Sequence, residues 1–213
     1  MRNEGRQALS TQGNARKVQF KIRAAHMAAL NPLNSDLQNH MTPSRGFDPE
    51  AFFSAVDARR RDRQLSWPAL AAVIWDQSRV LNERRNDHPI SPATIRHLAE
   101  GVSCQHALFL LRWLGVPPET FIAAPQPGTA VPLPVPDEAH RLRWNLKKLY
   151  GVLNAARTRR GATWQQAADR LHCTPNQLTG LRTAKFATGM QLAMRITQAL
   201  HRPAADFVYV AEW

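Results

Sequence analysis

The sequence predicts an all-α protein built as two tandem helical units, and two observations predict it. Helix-start signals recur from Asp48 onward, each a small polar cap followed by Pro or by Gln three residues later. The chain also repeats itself. Val56–Trp67 (VDARRRDRQLSW) aligns with Leu153–Trp164 (LNAARTRRGATW), 97 residues on. Ile90–Leu98 (ISPATIRHL) aligns with Cys173–Leu181 (CTPNQLTGL), only 83 residues on. Further along, Trp113–Pro117 matches Ala199–Pro203, and Phe121-Ile122 matches Phe207-Val208. The first copy therefore holds 97 − 83 = 14 extra residues between its two motif helices. A repeat of this length outranks any local motif in assigning the fold.

In chain order, residues 1–46 read as a flexible basic tail, rich in Asn, Gln, Ser and Arg. Regular structure begins at Asp48-Pro49-Glu50, an N-cap, a first-position Pro and an acidic first turn. That helix sends Phe52, Phe53 and Val56 inward and carries Arg59, Arg60, Arg61 and Arg63 outside. Ser66 caps a second helix with Leu70, Val73 and Ile74 inward. Apolar spacing through Val80 and Leu81 extends it across the insert at about 76–89 to near Arg85. Ser91-Pro92 starts the next helix. The run Ala107–Leu114 is apolar nearly all round, so it is a central buried helix. This first unit spans 47–122. Residues 123–136 hold five prolines and read as an extended, semi-rigid linker. The second unit, 137–213, opens with a long helix carrying Leu142, Leu146, Leu149 and Leu153. It closes with a last turn over Pro203–Val210.

Composition bounds the function. The formal charge of +12 points to a polyanionic partner, most simply nucleic acid. No apolar run is long enough to span a bilayer, and no signal-peptide pattern is present. The two cysteines, Cys104 and Cys173, form no metal-binding spacing and read as small buried residues of a reducing, cytoplasmic protein. The sequence lacks a P-loop, a nucleophile elbow, HExxH and a Rossmann fingerprint. No catalytic residue, metal ligand or cofactor is expected.

Thr163–Lys185 is the sharpest stretch. Thr163 with Gln166, and Thr174 with Gln177, form two capping boxes eleven residues apart, and Pro175 occupies a first helical position. Ala167, Ala168, Leu171, Leu178 and Leu181 fall on inward faces. Two short capped helices this close form a helix-turn-helix pattern.

The stretch resembles the helix-turn-helix of phage-repressor-like transcriptional regulators of the lambda repressor and Cro type. The resemblance covers residues 48–122 and 138–210. It implies two tandem five-helix domains, each presenting its third helix to the major groove of double-stranded DNA. Ala168, Leu171, Leu178 and Leu181 match the family's core positions. Trp164 departs from the Gln that phage members often carry after the first cap, so that contact is not carried over.

On this reading Asn176, Gln177, Thr179 and Gly180 are the base readers of the second unit, and Thr94, Arg96 and His97 those of the first. Asn and Gln pair with the adenine edge, and Thr meets a thymine methyl. Thr163, Gln165, Gln166, Thr174, Arg182, Lys185, Ser66 and Ser91 are the expected phosphate contacts. The expected protein is a transcriptional regulator of the bacterial nucleoid. Three alternatives stay open: a nonspecific nucleoid binder, a homodimer, and a module that binds a protein partner through the first-unit insert.

Overall fold

The computed structural model describes residues 46–184 and 187–213. These belong to one compact unit, and it is mostly helical, with nine α-helices and one two-stranded sheet among the described residues. The expected N-terminal tail lies outside the described residues, apart from Gly46 at its end.

Helix α1 (Pro49–Asp62) begins where Asp48 accepts hydrogen bonds from the N–H groups of Glu50 (2.9 Å) and Ala51 (3.0 Å). Such bonds satisfy donors that a helix start leaves orphaned. Helix α2 (Trp67–Asp76) starts at Ser66, whose hydroxyl accepts from Ala69 N–H at 3.2 Å. The expected continuous extension of this helix is corrected. It breaks at Gln77-Ser78 and resumes as α3 (Arg79–Arg85). Ser78 leaves the helical conformation (φ −132°, ψ 41°) because its buried hydroxyl donates to the His140 carbonyl, 2.7 Å away. Helix α4 (Pro92–Arg96) follows a Ser91 cap, and α5 (Cys104–Leu114) follows a Ser103 cap. Eight of the eleven residues of α5 are buried, as its all-round apolar pattern requires.

The start of the second half is also corrected. Arg141–Trp144 is a strand, β1, and not part of a long helix. Helix α6 begins only at Leu146 and runs to Arg159, after Asn145 accepts a bond from Lys148 N–H at 2.9 Å. Three short elements complete the helices: α7 (Trp164–Arg170), α8 (Pro175–Gly180) and α9 (Met190–Ala199). The chain then forms strand β2 (Val208–Ala211) where a turn was expected. β2 pairs antiparallel with β1, Arg141 opposite Ala211 and Trp144 opposite Val208. Pairing satisfies backbone groups of both segments that a buried, unpaired chain would leave without partners.

Contacts recur between the halves. Arg60 donates to Asp57 and to the Leu65 carbonyl, and its guanidinium lies 4.2 Å from the Trp67 ring centre. Ninety-seven residues on, Arg157 donates to Asn154 and to the Ala162 carbonyl and lies 4.7 Å from Trp164. Phe53 stacks on Trp67 and Tyr150 on Trp164, both at an interplanar angle of 15°. Asp48 N–H donates to the Phe121 carbonyl, and Asn145 N–H to that of Phe207. These contacts recur between α1–α2 and α6–α7; in the sequence alignment α4 and α5 fall opposite α8 and α9, and α3 falls in the insert.

One hydrophobic core runs through both halves, from Phe47, Phe52, Leu70 and Leu108 to Leu149, Leu178, Met194 and Phe207. The Pro-rich segment is tied to the second half, since Gln126 N–H donates to Gln198 Oε1 at 2.7 Å and Thr129 is buried. The insert is tied there too. Buried Arg141 reaches it with two bonds, to Asn82 Oδ1 (2.7 Å) and Asp87 Oδ2 (2.9 Å). Leu81 N–H donates to the Glu138 carbonyl.

Candidate nucleic-acid interface

The second-half pair α7–α8 is built by its caps. In α7 the Thr163 hydroxyl accepts from Gln166 N–H (3.1 Å) and Gln166 Oε1 accepts from Thr163 N–H (2.8 Å). In α8 the Thr174 hydroxyl accepts from Gln177 N–H (3.2 Å) and Gln177 Oε1 accepts from Thr174 N–H (2.8 Å). Leu171–Cys173 is the turn between them. His172 has φ 49°, which reverses the chain, and Cys173 N–H donates back to the Ala168 carbonyl at 3.0 Å. Ala168, Leu171, Leu178 and Leu181 are buried beneath the pair.

The expected site residues divide by how much hydrogen-bonding capacity remains. Asn176 and Arg182 are exposed, with side chains free of intramolecular partners among the described residues. Gln177 is exposed, but its carbonyl oxygen is committed to the cap, which leaves its NH2 group to donate outward. Thr179 is half-buried and donates its hydroxyl to the Pro175 carbonyl at 3.1 Å, so its methyl group is what remains for apolar contact. Gly180 offers only backbone. Thr163 and Thr174 are exposed caps, and Gln166 is held in its box. Gln165 donates to Asp169 Oδ1 at 2.8 Å. Lys185 lies outside the described residues.

The first-half counterpart differs. Helices α2 and α4 are separated by α3 and its flanking turns, so no tight turn joins them. Ser91 caps α4 through Thr94 N–H (3.1 Å), and its hydroxyl is 2.9 Å from that of Thr94. Thr94 is therefore half-buried and engaged. His97 sits 2.7 Å from Glu100 Oε1 through Nδ1. Arg96 is exposed and free of intramolecular partners among the described residues. Ser66 is exposed at the head of α2.

Several cations read as a basic face are structural clamps. Arg59 donates to the Leu114 carbonyl at 2.6 Å, and Arg60 and Arg61 both pair with Asp57. Those bonds hold the Asp57 carboxyl below the usual Asp range, the Arg61 bond contributing most. Arg61, Arg63, Arg159, Arg160 and Arg170 keep exposed positions. Reading the sequence missed Arg195 of α9. It donates to the carbonyls of Leu171 (2.8 Å) and His172 (2.9 Å) and so pins the turn between α7 and α8 from below. The only local signal was a lone cation on a helix without other charged residues.

Among the described residues no three His, Cys, Asp or Glu side chains gather as a metal site, and no helix is long and apolar enough to cross a membrane. Cys104 is buried, and burial pushes its thiol well above the ordinary range. Comparison with family models, curated proteins and solved structures returned no match.

Proposed function

We propose that the protein is a sequence-specific double-stranded DNA-binding transcriptional regulator made of two helix-turn-helix units of the phage-repressor type. In this reading α8 enters the major groove and reads bases through Asn176, Gln177 and Thr179, while α4 reads through Arg96. The observation that carries it is the α7–α8 pair: two boxed caps, a turn pinned by Arg195, buried leucines underneath, and uncommitted Asn176 and Arg182 outside. The charge of +12 supports a polyanionic partner and, in a bacterial cell, a place on the nucleoid. The insert bonds to the chain's own second half, which leaves less of it for a separate protein partner.

The test is selection of bound sequences from a random duplex pool, with the wild type and with Asn176→Ala/Gln177→Ala. The reading expects a defined motif that relaxes at a few adjacent bases in the variant. Enrichment of nothing, with binding lost steeply as salt rises, would reduce the charge to an electrostatic footprint and favour a nonspecific nucleoid binder.

A further inference from the structure

We propose that one chain is a built-in pseudo-dimer whose halves are related by a local two-fold axis at Ser103 and Gly189, and that its DNA target is an inverted pair of unlike half-sites. This rests on the DNA-binding reading above.

Ser103 and Gly189 are equivalent positions of the repeat, each the residue before the corresponding long helix, α5 or α9. They face each other in an antiparallel bridge. Cys104 N–H donates to the Thr188 carbonyl and Met190 N–H to the Val102 carbonyl, both at 2.8 Å. Advancing the first bond by the local repeat of 86 residues turns Cys104 into Met190, and stepping Thr188 back by 86 gives Val102, so the two bonds exchange. A head-to-tail arrangement brings different patches together, whereas a two-fold brings one patch onto itself. The bridge is of the second kind.

Each long helix also reaches across to the other half, through residues that are not equivalent in the repeat. Gln105 of α5 donates to the Leu142 carbonyl in β1 of the second half. On α9, Arg195 lies against Gly46, just ahead of α1 in the first half, its Cγ 3.4 Å from where a Cβ would stand on that glycine. Each long helix therefore touches the segment that precedes the other half's first helix.

The reading helices flank this axis. Helix α4 ends at Arg96, shortly before Ser103, and α8 ends at Gly180, shortly before Gly189. A two-fold runs them in opposite senses, which matches the dyad of duplex DNA and sets the half-sites head to head. The residues on the two helices are unlike. Asn176 corresponds to Ala93, and Arg96 corresponds to Thr179. The free amide of Asn176 suits an adenine, and the free guanidinium of Arg96 suits a guanine. The halves therefore read different bases at different positions, and the site is an imperfect palindrome filled by one chain.

The test uses the full chain and duplexes built from the selected motif, with its two half-sites inverted, in direct repeat, or one half alone. Affinity is read by fluorescence anisotropy and stoichiometry by sedimentation. The inverted duplex is expected to bind at least about tenfold tighter than the other two, with one chain per duplex. Asn176→Ala should lose about tenfold against base changes in one half only, and Arg96→Ala in the other half only. A direct repeat bound as tightly as the inverted one, or two chains on the inverted duplex, would overturn the pseudo-dimer while leaving specific DNA binding intact. Absence of preference among all duplexes and scrambled DNA would instead remove the DNA-binding reading on which it stands.

Discussion

The second half joins α7 to α8 with the short turn Leu171–Cys173, whereas the first half places a whole extra helix, α3, between α2 and α4. The caps at either side are alike: Ser66 answers Thr163, and Ser91 answers Thr174. What the comparison teaches is that local capping decides where a helix begins, while tertiary partners decide what an insertion does. The added segment survives because the second half supplies its partners. Arg141 satisfies Asn82 and Asp87, and the His140 carbonyl takes the Ser78 hydroxyl, while Arg112 of the first half's own α5 donates to Ser78 Oγ at 3.0 Å. A buried cation left without those acceptors would be costly, so the insert and β1 depend on each other.

The largest expected effect tests whether the halves are one folding unit. Phe52 and Leu149 are equivalent and fully buried. Phe52→Ala should cost about 3–5 kcal/mol and Leu149→Ala about 2–5 kcal/mol. In denaturant titrations each should shift a single transition of the whole protein. Two separate transitions, each variant moving only one, would show two independent domains on a tether.

Next come the readers. Asn176→Ala and Arg96→Ala should each weaken binding to the preferred duplex by about 1–3 kcal/mol, with the melting temperature unchanged. An unchanged affinity in Arg96→Ala alone would leave the first half a scaffold.

The caps sharpen the comparison on a smaller scale. Thr163→Ala and Ser66→Ala should each cost about 1 kcal/mol in thermal unfolding. Gln166→Ala should add a penalty in the second half alone, because Ser66 has no reciprocal partner in its cap.

The smallest effect concerns pH. Asp57 in the first clamp is Asn154 in the second. The Asp57 carboxyl is held below its ordinary range by Arg61 and Arg60. Its contribution is therefore present above the ordinary Asp range and lost as pH falls through the lowered value. Asp57→Asn should make the first clamp like the second and flatten part of the acid limb of the stability profile. An acid limb of unchanged slope would mean that this carboxylate does not report on folding.

Helix starts were legible in the sequence because caps are local. Asp48, Ser66, Ser91, Thr163 and Thr174 each bond to backbone within three residues. The strands were not legible, because β1 finds its partner some seventy residues away and Leu142, Leu146 and Leu149 also fit a helical stripe. Asn145 was the overlooked signal, a cap placed inside the supposed helix. The break at Ser78 and the clamp of Arg195 depend on carbonyls remote in sequence, His140 and Leu171, which no local pattern reveals. Of the candidate site, Asn176, Arg182 and Arg96 are exposed, with side chains free of intramolecular partners among the described residues. The sequence could not tell that Gln177, Thr94 and His97 spend part of their capacity within the chain.

The measurement that tests the central claim most directly is hydroxyl-radical footprinting of the full chain on its selected duplex, repeated with Arg96→Ala and Asn176→Ala. Two reading helices on one chain predict two protected patches on one face of the DNA, about one helical turn apart. Each variant should weaken a different patch. A single patch that disappears with Asn176→Ala and ignores Arg96→Ala would contradict the account and leave the second half as the sole reader.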